Sequence, residues 1–469
     1  MKVPETGMTR SIGLVQATAI NMIDMIGIGP FVAMPLIMQL MGAGDFIYAW
    51  VLGALIAGID GMVWAELGAA LPEAGGSYQF LKAAFSGHSR WGKLMPFLFV
   101  WQTLFQAPLV VASGAIGFAQ YLGYLIPLGY FQQKGVAAVV VVLVTLLLYR
   151  RTAVLGRIAV LLWAGVILTI LGIISGGIWF AHTHPVVAAP PLFSTPVFTG
   201  IFVAALGHAT VRSMYCYLGY YNVCQLGSEI RNPGRNIPRS IFWSVAGVAV
   251  LYCGMNLSIA RVVPFPVARN SSFIVSTFVE MAFGRHAAGV ATVLVLWIAF
   301  ASLFSVMLGY TRIPFAAARD GNFFPAFARL HPTKGFPQVS LLALGGTALV
   351  FSLLFRLTDV IVGILAMRIL VQFIGQAVGL MLLRRKRKGM HFPFRMWLYP
   401  LPVLGSIAAW LYVYFFTGWE FAFSGLAMTA AGTVIFLVLY KRNGKGLFSS
   451  GATSGPIDPP YIAGAKPPQ

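Results

Sequence analysis

Asn21-Met22-Ile23-Asp24-Met25-Ile26-Gly27-Ile28-Gly29-Pro30-Phe31 breaks the first long apolar stretch of this chain in its middle, and Tyr215-Cys216-Tyr217-Leu218-Gly219-Tyr220-Tyr221-Asn222 breaks the sixth at the matching place. In hydrocarbon an unwound turn strands N–H and C=O groups, so it persists only where protein surrounds it or a cavity meets it. Two such breaks in corresponding halves point to a transporter binding site near the bilayer midplane. The competing reading is a pair of Gly-permitted kinks that serve only helix packing, since Gly and Pro are common in membrane helices. The five-span spacing between the breaks argues against it.

Outward from the breaks, apolar spans of the length a bilayer needs fall at 13–41, 46–71, 92–126, 135–150, 154–181, 197–225, 238–263, 285–314, 338–356, 358–383, 397–418 and 421–441. The expected fold class is therefore an all-α integral membrane protein with about twelve transmembrane helices. Only 9% of the residues are charged, against about 25% in soluble domains. Spans one to five and six to ten form two sets. Five is odd, so the second set enters from the opposite face, and once the breaks are paired an inverted repeat needs no further assumption. The expected units are 13–181, the inverted 197–383, two additional helices over 397–441, and a disordered cytoplasmic tail over 443–469, rich in Gly, Ser and Pro.

The net charge of +20 could suggest nucleic acid, but its distribution follows the positive-inside rule. Lys82, Arg90 and Lys93, then Arg150, Arg151 and Arg157, then Arg231, Arg235 and Arg239, then Arg319, Arg329 and Lys334 occupy alternate loops. Arg384-Arg385-Lys386-Arg387-Lys388 fits anionic headgroups. The expected placement is multi-pass in the cell (inner) membrane with both termini cytoplasmic, the bilayer as partner and no nucleic acid. Arg261, Arg269 and Arg285 depart from the rule, and a short surface helix is expected there. The stretch before the first span does not read as a cleavable signal. Cys216, Cys224 and Cys253 read as buried thiols rather than a disulfide framework.

Gly27 and Gly29 admit backbone conformations closed to other residues and let a ligand approach the main chain. Pro30 suits the first position of a resumed helix, whose positive end then points into the membrane centre, a seat for a carboxylate. The half-helix ending near Tyr215 leaves carbonyls of Tyr215, Cys216 and Leu218 for an ammonium. The two seats together describe an α-amino acid.

Asp24 is an intramembrane charge and so a functional candidate by default. It is read as a proton or cation coupling site, as a direct partner for the substrate ammonium, or as a structural partner of Arg212 or Arg368. Ser302 and Ser305 are candidates for ion coupling by H+ or Na+, weighed against back-bonded packing serines. Glu66 is expected to partner an inner-loop Arg, and Asp60 has no assigned role. Trp101, Gln102, Phe105 and Gln106 suggest a pocket wall. No catalytic constellation and no metal cluster with enough ligands emerges, so neither an enzyme nor a cofactor is expected.

Four motifs carry a family resemblance. Gly27-Ile28-Gly29-Pro30-Phe31 resembles G-x-G-[IP]-F. Ala65-Glu66-Leu67-Gly68-Ala69-Ala70-Leu71-Pro72-Glu73-Ala74-Gly75-Gly76-Ser77-Tyr78 resembles AELG…P-x-[SA]-G-G-x-Y. Glu229-Ile230-Arg231-Asn232-Pro233-Gly234-Arg235-Asn236-Ile237-Pro238-Arg239 resembles E-[VI]-[KR]-N-P-x-R-x-[IL]-P-[RK]. Ala318-Arg319-Asp320-Gly321-Asn322-Phe323-Phe324-Pro325 resembles A-R-D-G-x-[LF]-P. In this order and spacing the chain resembles the amino acid–polyamine–organocation superfamily, and within it the L-type amino acid transporters and their bacterial relatives.

The resemblance implies a LeuT-like 5+5 inverted repeat with helices one and six broken, plus two extra C-terminal helices. It implies secondary transport of an amino acid by alternating access. A polyamine or other organic-cation transporter of the same fold is the alternative, and a channel a further one. By motif position, the substrate-binding set is Met25, Gly27, Ile28, Gly29, Tyr215, Cys216, Leu218 and Gly219. Tyr215, in the aromatic gate position, Tyr220 and Tyr221 are the gating or pocket residues. The chain departs from the family pattern at Val166, where a lysine usually follows Ala164-Gly165, at Leu218 in place of a glycine, and at Asp24 in place of a neutral residue.

Overall fold

A computed structural model describes residues 10–85, 90–184, 199–355, 364–386 and 389–442. Apolar sequence with few charges leaves the backbone mainly its own N–H and C=O groups as partners, and helices satisfy them locally. The described chain is accordingly helical, with isolated bridges rather than named strands. Its helices are α1 (Leu14–Met25), α2 (Gly29–Ala70), α3 (Ser77–Phe85), α4 (Leu94–Leu122), α5 (Tyr130–Leu148), α6 (Thr152–Thr183), α7 (Gly200–Tyr217), α8 (Asn222–Gln225), α9 (Pro233–Val262), α10 (Phe265–Ala268), α11 (Ile274–Phe283), α12 (Arg285–Tyr310), α13 (Arg312–Arg319), α14 (Gln338–Leu354), α15 (Ile364–Lys386), α16 (Leu401–Phe416) and α17 (Trp419–Arg442). Among the described residues, eight helical runs are long and apolar enough to cross a membrane, and α11, α14 and α16 are shorter apolar helices. The stretch around 261–285 folds as α10 and α11.

The expected spans 13–41 and 46–71 meet inside α2, where Gly42 turns the chain at φ +85. α2 packs along α7 and α9, α1 lies among α6, α9 and α12, and α4 rests on α12 and α14. Leu161, Leu168 and Val250 are largely exposed on the bundle's outside, as lipid-facing positions require. The chain ahead of α1 is pinned to the exit of the second break: Ile12 N donates to Glu229 O at 3.0 Å and Arg231 N to Ile12 O at 2.8 Å. Asn232 caps α9 from the left-handed region at φ +44, a conformation asparagine tolerates better than most residues.

Three ion pairs form among the described residues. Glu66 takes Arg384 through both oxygens, at 2.6 and 2.7 Å, and also accepts Met396 N. Glu229 holds Arg312 at 2.9 Å and Lys82 holds Asp320 at 2.7 Å. Arg384 is therefore committed to Glu66, while Arg385 and Lys386 are exposed. Arg387, Lys388 and the tail from 443 lie outside the described residues, as does 185–198, most of the charge-poor loop.

Candidate functional site

α1 stops at Met25 because Gly27 and Pro30 cannot sustain its hydrogen-bond ladder. Gly27 N turns back to Met25 O at 3.2 Å, and the chain resumes as helix at Gly29, one residue before the expected Pro30. The N–H groups of Ile28 and Gly29 have no partner among the described residues. They lie at the N-terminus of a long helix, where the backbone favours an anion.

The second break lies two residues past the expected point. α7 runs to Tyr217, Leu218 is extended, and Gly219 adopts φ +122 before the chain re-enters helix at Asn222. The carbonyls of Tyr215, Tyr217 and Leu218 accept from no group among the described residues. Gly219 brings the breaks into contact: a β-carbon there would lie 2.8 Å from Met25 N and 2.8 Å from Asp24 Cγ.

Between the breaks lies a small cavity of about 60 Å³. Asp24, Met25, Gly27, Ile28 and Gly29 line one side, and Tyr215, Cys216, Leu218, Gly219 and Tyr221 another. Val110, Ser113 and Gly114 from α4, Ser302 from α12 and Arg368 from α15 add to the wall. The whole substrate-binding set expected from sequence thus borders one space. Tyr215 closes over Gly29 and its hydroxyl meets Ser113 Oγ at 3.2 Å.

Several expected residues are placed elsewhere. Tyr220 is buried away from the cavity and donates its hydroxyl to Asp60, which also accepts Trp64 Nε1 and Ser406 Oγ. Tyr221 faces the cavity, stacked on Trp64 with centroids 4.3 Å apart. Ser302 borders the cavity and reaches Asp24 O at 3.4 Å. Ser305 does not: its hydroxyl donates to Ile20 O at 2.6 Å and accepts from Asn222 Nδ2. Trp101 and Gln102 point to α17, through Met428 O and Thr429 Oγ1, so α4 contributes its wall more than two turns later, through Val110, Ser113 and Gly114. The Asp24 ion pair is not formed. Arg212 bonds to His208 O within its own helix, and no cation lies within 4.0 Å of Asp24 among the described residues. Val166 is fully buried.

Sequence reading missed the groups that hold the breaks together. Tyr252 Oη lies 2.7 Å from Met25 O and 3.1 Å from Cys216 O, so one hydroxyl bridges a carbonyl of each break. One of the expected ammonium acceptors, the Cys216 carbonyl, is thereby already engaged. Asn21 accepts from Val223 N at 2.8 Å, and Asn222 donates to Ser305 O at 2.8 Å. These side chains sit in ordinary helical or turn sequence, and nothing short of the packing distinguishes them from surface amides.

A family model described as "Amino acid permease" matches residues 12–439. The chain is 23% identical to the serine/threonine exchanger of Bacillus subtilis, over 88% of this chain and 92% of that one. It is 24% identical to the branched-chain amino acid permease of the same organism, over 94% and 95%, and 24% identical to mouse Asc-type amino acid transporter 1, over 82% and 72%. Two broken helices facing one cavity, in a bundle of membrane-length helices matched almost end to end, identify this chain as a multi-pass membrane protein belonging to the amino acid permease family.

Proposed function

We propose that this permease moves an α-amino acid across the cell (inner) membrane by alternating access, with both termini cytoplasmic. The architecture we propose has twelve transmembrane helices: inverted five-helix repeats over 13–181 and 197–383, and two further helices over 397–441. The observation that carries the reading is the pairing of polarities across one cavity. Two free N–H groups at Ile28 and Gly29 stand on one side, and the free carbonyls of Tyr215 and Leu218 on the other. The α-carboxylate binds the first pair and the α-ammonium the second. Relatives named for serine and threonine, for branched-chain and for Asc-type amino acid transport support the substrate class.

Asp24 is the proposed coupling group, and H+ the coupling ion. Na+ coupling through Ser302 and Ser305 is less well supported, because the Ser305 hydroxyl is already engaged by Ile20 and Asn222. A polyamine substrate is disfavoured by Arg368, which adds a positive charge to the same cavity. The test is counterflow in liposomes reconstituted with the full chain. A preloaded amino acid should drive saturable uptake of its labelled counterpart, and the same amino acid should raise the thermal stability of the purified protein by mass action. Saturable exchange of a polyamine with none of any amino acid would refute the assignment.

A further inference from the structure

Arg368 is an unusual group to find on this cavity. It is 2% exposed, and no carboxylate lies within 4.0 Å of it among the described residues. Its Nε donates to Gln372 Oε1 at 2.7 Å. Its guanidinium carbon sits 5.1 Å from the Tyr221 ring, 5.8 Å from Tyr310 and 5.4 Å from Phe373. Those rings stabilise the cation through their π faces, and the Tyr221 hydroxyl also interacts with it. Nη2 makes no hydrogen bond among the described residues. A buried charged donor without an acceptor is costly, so its retention calls for an acceptor that arrives from outside the fold.

The side chain is also held in place. Gln372 is itself fixed by Ser77 Oγ at 3.3 Å, and Ser77 donates to Gln376 Oε1 at 2.7 Å, which ties α15 to α3. Immediately after Arg368, residues Ile369–Ile374 form a π-helical turn, a feature found often at functional sites.

Resting on the transport reading above, we infer that Arg368 is the specificity determinant of the side-chain pocket and selects an α-amino acid whose side chain ends in a carboxylate. The main-chain N–H and C=O groups of the breaks read the α-carboxylate and α-ammonium, which all amino acids share. Arg368 reads what differs. A planar fork with a free N–H matches a carboxylate better than a hydroxyl or an alkyl group.

Competition in reconstituted counterflow tests this, using L-aspartate, L-glutamate, L-asparagine, L-glutamine, L-serine and L-leucine against whichever of them is transported. Each acid should inhibit at a concentration at least about tenfold below its amide, the kind of preference expected when a site's buried donor would otherwise stay unpaired. Arg368→Gln should reverse that order while still exchanging an amide. Neutral amino acid exchange that ignores both acids overturns the inference and leaves the transport reading intact, as does an acid preference that survives Arg368→Gln. Absence of exchange with every amino acid defeats the transport reading and this inference together. If Arg368→Gln does not yield monodisperse protein, the wild-type order of acids and amides decides.

Discussion

At the scale of single residues, Asp24 and Arg368 share a cavity without touching. With both ionised, the empty cavity is neutral. An anionic side chain entering it would leave an unbalanced negative charge in a low-dielectric space. On the proposed proton coupling, a proton taken up by Asp24 from the aqueous side would restore neutrality, and substrate and proton would travel together. Uptake should rise as the outside is acidified, and Asp24→Asn should flatten that profile while leaving the protein in the membrane. A variant with the wild-type pH profile would remove Asp24 from coupling. Tyr252 acts differently. Its hydroxyl serves Met25 O and Cys216 O and does not border the cavity. Tyr252→Phe removes the donor shared by Met25 O and Cys216 O, of which Met25 O keeps Gly27 N, a loss of about 1–3 kcal/mol. The ring stays packed against Trp50 and Tyr217. If that loss falls on the substrate-binding arrangement of the breaks, substrate half-saturation should rise by at least about fivefold, since 1.4 kcal/mol is a factor of ten, with little change in protein yield. Unchanged half-saturation would mean the bridge is dispensable.

At the scale of elements, the two breaks depend on each other, and Gly219 is where they meet. Its φ of +122 already disfavours any side chain, and a β-carbon would lie 2.8 Å from Met25 N and 2.9 Å from Asp24 C, main-chain atoms that cannot rotate aside. Gly219→Ala should cut counterflow by more than about tenfold, from backbone strain and displacement of the first break combined. Gly42 is the matched control. It too has a positive φ, +85, but a β-carbon there meets nothing within 4 Å. Gly42→Ala should cost only about 1–2 kcal/mol of strain and keep transport. Equal damage from both substitutions would show that φ alone matters. The breaks were legible in sequence because Gly and Pro interrupt long apolar runs there. Which ring of the second break faces the cavity was not legible. Tyr220 and Tyr221 are adjacent, and the turn at Gly219 sends one to Asp60 and the other to Trp64. Tyr252 was hidden for a related reason, and Arg368, legible as a partner candidate for Asp24, could not be placed on the cavity wall: the rotation of each helix about its axis is set by neighbours, not by its own sequence.

At the scale of the whole molecule, the charge pattern that set the expected topology also stitches one end of the bundle. Glu66, Lys82, Glu229 and their partners Arg384, Asp320 and Arg312 come from segments far apart in sequence. Glu66 was expected to find an inner-loop arginine, and its partner, Arg384, lies in the last turn of α15. The identity of that arginine depended on how α15 lies against α2, which no local pattern encodes. The Glu229–Arg312 pair is the deepest, with side chains only 1% and 3% exposed. Arg312 also bonds Leu308 O and Thr311 Oγ1, and the Glu229 carbonyl receives Ile12 N. One pair thus joins the start of the chain, the exit of the second break and the α12–α13 junction. Removing a single partner leaves a buried charge uncompensated, at about 3–5 kcal/mol, whereas removing both charges avoids that penalty. Glu229→Gln or Arg312→Gln alone should lower the thermal midpoint of the detergent-solubilised protein markedly, and the double variant should recover much of the loss. Additive losses would show that the two charges act independently, and that this end of the bundle is held by apolar packing rather than by the pair.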